Sequence, residues 1–205
     1  VKYFIIVRFE ILSGQNTQTS FFYLNSCSAD GCGANGFFIN SAGPNQLQNW
    51  ILYNCESNTS VTNGFYIKAS SGSIQNFTLI NCVSSENTGD GFNFEVAGGS
   101  LQNFNMFSCT SNLNGGQGTE FVAGVNFGVI SSCFFRDNTS DGLKLTGTSN
   151  TCIIMGSVFR SNTGVGVNIA NANCAGNLIH GNVFNLNSGA YTDSGTGTTI
   201  ADNVT

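Results

Sequence analysis

Charge is what this chain has least of. Only 8% of its 205 residues are charged, 6 Lys or Arg against 11 Asp or Glu, where an ordinary globular domain carries about 25%. With a net charge of −5 and no basic run, it offers no electrostatic footprint for nucleic acid. It has one histidine and no Cys-x-x-Cys spacing, so neither a metal centre nor a cofactor is expected. It has one proline, and no window sustains a 3.6-residue apolar period, which leaves almost no room for helix. No apolar run reaches the length of a membrane span.

What is abundant fits short strands and tight turns. There are 26 glycines and 18 phenylalanines, with many Asn, Ser, Thr and Ile, the residues favoured in strands and in the turns that join them. The length suffices for one domain with a real core.

An internal repeat organises these residues. Cysteine and glycine recur nine residues apart as Cys27/Gly36, Cys55/Gly64, Cys82/Gly91, Cys109/Gly118 and Cys133/Gly142, and Ser157/Gly166 continues the series. Successive pairs are 28, 27, 27, 24 and 24 residues apart. One half of the repeat is therefore fixed and the other elastic, a period typical of a solenoid.

The columns of the repeat assign faces. One and three residues after the glycine stand Phe37, Phe65, Phe92, Thr119, Leu143, Val167 and Ile39, Ile67, Phe94, Phe121, Leu145, Ile169, an inward pattern. Residues at two and four after it alternate outward. This is strand A. Strand B precedes the cysteine, with Leu24, Leu52, Leu79, Met106, Ile130, Ile154 and Ile179 three positions before it. The residue just before the cysteine is Ser, Asn or Gly, which suits a left-handed corner leading into a short strand C. The expected fold is all-β: a parallel β-solenoid of about seven coils of 24–28 residues, with three short strands per coil stacked about 4.8 Å apart.

The pattern Asn-Cys-x-x-x-x-Asn followed by Asp-Gly-Phe-x-Phe, with its variants "SCFFRDNTSDGLKL" and "GSVFRSNTGVGVNI", resembles the right-handed single-stranded parallel β-helix repeat of the pectin-lyase-like superfamily over roughly residues 20 to 187. That family includes polysaccharide lyases, polygalacturonase-type hydrolases and the trimeric tailspikes of bacteriophages, and this chain looks most like a tailspike or viral-appendage β-helix. The resemblance implies the fold and a carbohydrate ligand. Its catalytic motifs are not met: there is no Gly-His-Gly, no Asp-Asp pair, and His180 stands alone in "LIHGN". Arg136 and Arg160 lie in the turn by strand C, away from any acidic triplet, with only Asp137 at hand.

Candidate chemistry lies on the outward face of strand A. Glu95 and Glu120, on neighbouring coils, are the first choice for a general acid and base on a glycosidic bond; a plain ion-pair ladder with Lys68 and Lys144 is the competing reading. Asp90 and Asp141 are the second choice, set against ordinary turn capping beside glycine. Phe38, Tyr66, Lys68, Asn93 and Lys144 are the expected glycan contacts.

The outward columns of strand B, with Ile51, Tyr53, Ile80, Phe107, Val129, Ile153, Met155 and Leu178, are too apolar for water and predict an interface. It would serve sister chains, a trimer above all, or lateral assembly. Five cysteines in one column read as buried reduced thiols, which favours folding in a reducing cytosol. Cys152 and Cys174, one coil apart, are the pair best placed to bond. Two functions are therefore expected as alternatives. One is a structural and glycan-binding module of a virion spike or fibre, folded in a host cytoplasm and carried on the virion surface. The other is a polysaccharide lyase or glycoside hydrolase, extracellular if secreted. Residues 1–19 are expected as an entering coil or the remnant of a preceding region, 20–187 as the solenoid, and 188–205 as an irregular C-terminal cap or the start of a further region. By the same register Phe9 falls where a strand A glycine would stand, which makes Ile11 and Leu12 part of an earlier coil.

Overall fold

A computed structural model describes residues 7–11, 18–44 and 46–205, with side chains from residue 21 onward. Every strand pairs in parallel with its counterpart about one repeat away, and the described residues contain no helix. Three sheets of eight, nine and seven strands run the length of the molecule. They correspond to strands A, B and C of the repeat.

The predicted register holds strand by strand. In sheet A, Phe37 pairs with Phe65, Phe65 with Phe92, Phe92 with Thr119, Thr119 with Leu143 and Leu143 with Val167. In sheet B, Leu24, Leu52, Leu79, Met106, Ile130, Ile154 and Ile179 follow one another. All of these but Leu24, which is half-buried, are enclosed. Rings stack along the axis, Phe37 on Phe65 at 4.6 Å and Phe65 on Phe92 at 4.8 Å. Trp50 stacks on Phe77 at 4.3 Å, and Phe135 on Phe159 at 4.9 Å. The rung spacing thus matches ring spacing, and each aromatic serves both neighbours.

The fixed half of the repeat has a steric cause. Gly64, Gly91 and Gly118 face inward over the residue two after the next coil's cysteine. A Cβ at Gly91 would run into Ser111 Oγ and come within 2.6 Å of the Gly118 carbonyl oxygen. That serine is held there by donating to the Gly118 carbonyl at 2.8 Å, as Ser84 does to Gly91. Space, rather than backbone angle, demands the glycine.

Corners are the second device. The residue before the cysteine has φ near +55° at Ser26, Asn54, Asn81, Ser108 and Ser132. A second left-handed file follows strand C at Thr59, Glu86, Leu113, Asp137 and Ser161, and a third bends strand B at Asn49, Asn76, Asn103, Phe127 and Thr151. Asparagine tolerates this region better than most residues.

Inside the turn after strand C, buried asparagines form a ladder. Asn87 Nδ2 donates to Asn114 Oδ1 at 2.9 Å, Asn114 Nδ2 to Asn138 Oδ1 at 3.0 Å, Asn138 Nδ2 to Asn162 Oδ1 at 2.9 Å and Asn162 Nδ2 to Asn187 Oδ1 at 2.9 Å. Each Oδ1 also accepts the backbone N–H of the asparagine below, as Asn114 does from Asn87 at 3.1 Å. The loop's polar groups are thereby satisfied without water.

Several expectations need correction. Phe9 pairs with Ile39, not with the glycine position, because the first strand, Val7–Ile11, is offset by three residues from the repeat's usual step. Val7–Ile11 adds a strand to sheet A beside Phe37–Ser41; Leu12 lies outside the described residues. The segment 188–205 is not irregular: Gly189–Asp193 adds a strand to sheet A and Thr199–Ala201 one to sheet B. Cys152 and Cys174 do not bond. All eight thiols are free, and Cys152 lies against Asn177, whose Oδ1 accepts the Cys152 N–H at 2.9 Å. The pair is out of step by three residues. The cysteines of the main file instead donate to carbonyls at the B–C corner, Cys109 Sγ to Phe107 O at 3.4 Å among them.

Candidate functional site

The outer face of sheet A gathers the chain's scarce charges. Two outward columns run side by side. One carries Phe38, Tyr66, Asn93, Glu120, Lys144 and Asn168; the other carries Asn40, Lys68, Glu95 and Val122. Strand alternation puts them there, because their neighbours fill the core.

Two connected groups result. In the first, Tyr66 donates its hydroxyl proton to Glu95 Oε2, and Lys68 Nζ reaches Glu95 Oε1 at 3.0 Å and Tyr66 Oη at 3.3 Å. Burial alone would push the Glu95 carboxyl up, but the bonds from Tyr66 and Lys68 outweigh it and hold it below the usual carboxylate range. Burial, then the bond to Glu95, raises the Tyr66 phenol. The bond to Glu95 raises the Lys68 ammonium. The ring of Tyr66 stacks on Phe38 at 5.2 Å, making a small aromatic platform beside the charges.

In the second group, Lys144 Nζ lies 3.3 Å from Glu120 Oε1. Burial and the adjacent Asp90 charge raise the Glu120 carboxyl, against the pull of Lys144. Asp90 Oδ2 accepts from Asn93 Nδ2 at 2.7 Å. Asn93 is 8% exposed, and its Oδ1 is buried without a partner, a costly state for a carbonyl unless something donates to it.

Of the first-choice pair, Glu95 and Glu120 are diagonal neighbours on adjacent rungs. Their carboxyl groups turn to different partners, Glu95 to Tyr66 and Lys68 and Glu120 to Lys144 and Asp90. Their environments push them in opposite directions.

Asp90 and Asp141 are not brought together. Gln117 stands between them in the file that precedes the strand A glycines, where each side chain caps the next coil: Asp90 Oδ1 accepts Gln117 N–H at 2.7 Å, Gln117 Oε1 accepts Asp141 N–H at 2.8 Å, and Asp141 Oδ1 accepts Val165 N–H at 2.9 Å. Asp141 Oδ2 takes Asn168 Nδ2 at 2.8 Å. Glu86 and Asp137 sit on the exposed left-handed corner instead.

The contact between Asp90 and Glu120 joins one residue from each expected pair and was missed. Writing the coil of Gly91 above that of Gly118 would have disclosed it, since Glu120 is the rung neighbour of Asn93, three residues after Asp90. His180 stands apart, on the outer face of sheet B, with Nδ1 3.4 Å from Asp202. Among the described residues no group of three or more His, Cys, Asp or Glu is arranged to hold a metal. No described helix is long and apolar enough to cross a membrane.

No protein-family model matches this sequence, nor does any curated protein. Solved structures do match in fold. The chain is similar to the periplasmic alginate epimerase AlgG, with a TM-score of 0.67 and 11% identity over 89% of this chain and 50% of that one. A mutant of the same enzyme matches with a TM-score of 0.60 and 11% identity over 83% of this chain and 38% of that one. The A-module of the Azotobacter vinelandii mannuronan C-5 epimerase AlgE6 matches with a TM-score of 0.57 and 16% identity over 91% and 74%. At these identities the likeness is one of fold, the parallel β-helix. The chain spans half or less of the length of the AlgG structures.

Proposed function

We propose that this chain is a polysaccharide-binding β-helix whose binding surface is the outer face of sheet A. One observation carries the reading. In a chain with only 17 charged residues, Lys68, Asp90, Glu95, Glu120 and Lys144 meet on one face beside the stacked pair Phe38 and Tyr66. Paired charges beside an aromatic platform are what a hydroxyl-rich ligand engages. The β-helix neighbours, alginate and mannuronan epimerases, support a glycan ligand by analogy of fold.

The test is titration calorimetry against a panel of acidic and neutral polysaccharides, comparing the native chain with Tyr66→Ala and Lys68→Ala. Affinity reduced by about tenfold in both variants is the expected result, each having lost a ligand contact worth about 1.4 kcal/mol. Equal affinity in all three proteins overturns the reading.

A second reading is a polysaccharide lyase or glycoside hydrolase. It is favoured by the opposite displacement of Glu95 and Glu120, a pattern that assigns base and acid roles. Glu120→Gln and Glu95→Gln would each abolish polymer cleavage; cleavage at the native rate in both removes it.

The outer face of sheet B supports assembly as well. Phe107 is 37% exposed and Met155 38%, and Ile51, Ile80, Val129, Ile153 and Leu178 are half-exposed beside them. Packing of sister chains through this face, most simply as the trimeric shaft of a spike or fibre, would cover it. Light scattering of the native chain against Phe107→Lys tests this: a trimer reduced to a monomer supports it, and a native monomer refutes it.

A further inference from the structure

On sheet C, opposite in role to the paired charges of sheet A, two charges of one sign stand together. Arg136 and Arg160 occupy the same outward column on adjacent rungs and pair directly in register. Both are exposed. Among the described residues neither guanidinium has an ion-pair or hydrogen-bond partner. The rungs on either side supply no acid: Asn112 precedes Arg136 and Asn185 follows Arg160.

Like charges directly opposed across neighbouring strands destabilise a sheet. Here the chain is acidic overall and holds only 6 basic residues, two of which are spent on this contact. Beside them, two positions earlier on the same strands, run Phe134, Val158 and Val183, of which Phe134 is 49% and Val183 39% exposed. A guanidinium presents a planar fork of donors matched to a carboxylate, and an exposed ring next to it offers a stacking surface.

We propose that Arg136 and Arg160 form an anion seat for the carboxylate groups of an acidic polysaccharide lying along the axis of the solenoid, with the sugar ring resting on Phe134. The two arginines stand one rung, about 4.8 Å, apart along the axis, so both forks can engage one bound chain. A nucleic acid would also present anions at intervals. A phosphate backbone engages a longer run of cations, and among the described residues no further basic side chain stands beside the pair. The seat is independent of the sheet A face, since it shares no residue with it.

The experiment is fluorescence anisotropy with a labelled short oligouronate, repeated with a neutral oligosaccharide of equal length, a sulfated one and a single-stranded oligonucleotide. The proteins are the native chain, Arg136→Gln, Arg160→Gln, the double Gln variant, the double Lys variant, and Lys68→Gln/Lys144→Gln with and without the double Gln substitution, each checked by circular dichroism. Each exposed arginine makes a charge-assisted contact, so each single variant is expected to lose about tenfold in affinity for the oligouronate and the double Gln variant about a hundredfold. The double Lys variant falls between, having charge without the fork. On the Lys68→Gln/Lys144→Gln background, which weakens any site on sheet A, the double Gln substitution costs the same hundredfold, so loss of this seat and failure of the sheet A proposal are read separately. Native affinity in the double Gln variant overturns the proposal. So does equal binding of the neutral sugar, or tighter binding of the sulfated sugar or the oligonucleotide.

Discussion

Replacing Asn114 by alanine should cost about 3 kcal/mol of stability, although the residue touches no solvent and no proposed ligand. Its side chain sits in the middle of the internal ladder, fully buried. Nδ2 donates to Ser84 O at 3.2 Å, Ser111 Oγ at 3.0 Å and Asn138 Oδ1 at 3.0 Å, and Oδ1 accepts from Asn87 N at 3.1 Å and Asn87 Nδ2 at 2.9 Å. After truncation Asn87 Nδ2 keeps Ser57 O and Ser84 Oγ, and Ser111 keeps Gly118 O. The Asn87 backbone N–H keeps nothing. One stranded buried donor costs about 1–3 kcal/mol, and the weakened remainder adds about 0.5–1.5 kcal/mol. Asn112→Ala, two residues away, is the control. Its Nδ2 reaches only Ser85 Oγ, at 3.5 Å, so its loss should stay below about 0.5 kcal/mol. Urea unfolding would be followed by circular dichroism and by fluorescence of Trp50, the single tryptophan, because stacked repeats unfold as neighbouring units rather than always at once. Equal midpoints for the two variants would refute the ladder as a source of stability.

Gly91→Ala should destabilise by about 1–3 kcal/mol through overpacking, whereas Gly33→Ala, with no atom near its Cβ position, should be close to neutral in the same urea experiment. The two glutamates of sheet A should respond to pH with opposite sign. The folded carboxyl of Glu95 is depressed, so its contribution is present above the unfolded value of 4.5 and lost as pH falls through the lower folded value; Glu95→Gln lowers Tm at neutral pH and has no effect in strong acid. The folded carboxyl of Glu120 is raised, so the fold binds its proton more tightly and stability falls as pH rises from 4.5 through the folded value. Glu120→Gln therefore raises Tm at neutral pH and loses that advantage in acid; a shift of the same sign in both variants would show that their surroundings are misassigned. A thiol reagent should label half-buried Cys27 first and the seven buried cysteines only on unfolding, which mass spectrometry of the labelled chain checks.

The coil could be read from sequence because a stacked structure imposes the same demand on every lap. Gly64, Gly91 and Gly118 each face the same crowded spot, so the constraint repeats and becomes visible as an interval. Corners were legible for the same reason: Asn54, Asn81 and Ser108 meet one backbone requirement. The ends were not. Gly189–Asp193 and Thr199–Ala201 pair through the backbone with few aliphatic side chains to announce them, and the first strand is out of step with the rest. On sheet A, alternation sorted residues into columns, and both columns hold. Partners were harder to read, because a long side chain chooses among rungs. That Lys68 goes to Glu95, and that Asp90 meets Glu120, depends on rotamers and burial that spacing does not encode. The two free arginines illustrate the limit again, since only the register places them side by side.

The asparagine file has a consequence for biosynthesis. Asn138-Thr139-Ser140 reads as an acceptor triplet for N-linked sugar, yet Asn138 is 1% exposed and both ends of its amide are bonded within the ladder. A glycan attached there before folding would leave the nitrogen unable to reach its rung and too bulky for the interior. In any secretory route that modifies nascent chains, maturation of this coil would become a race between oligosaccharide transfer and closure of the lap.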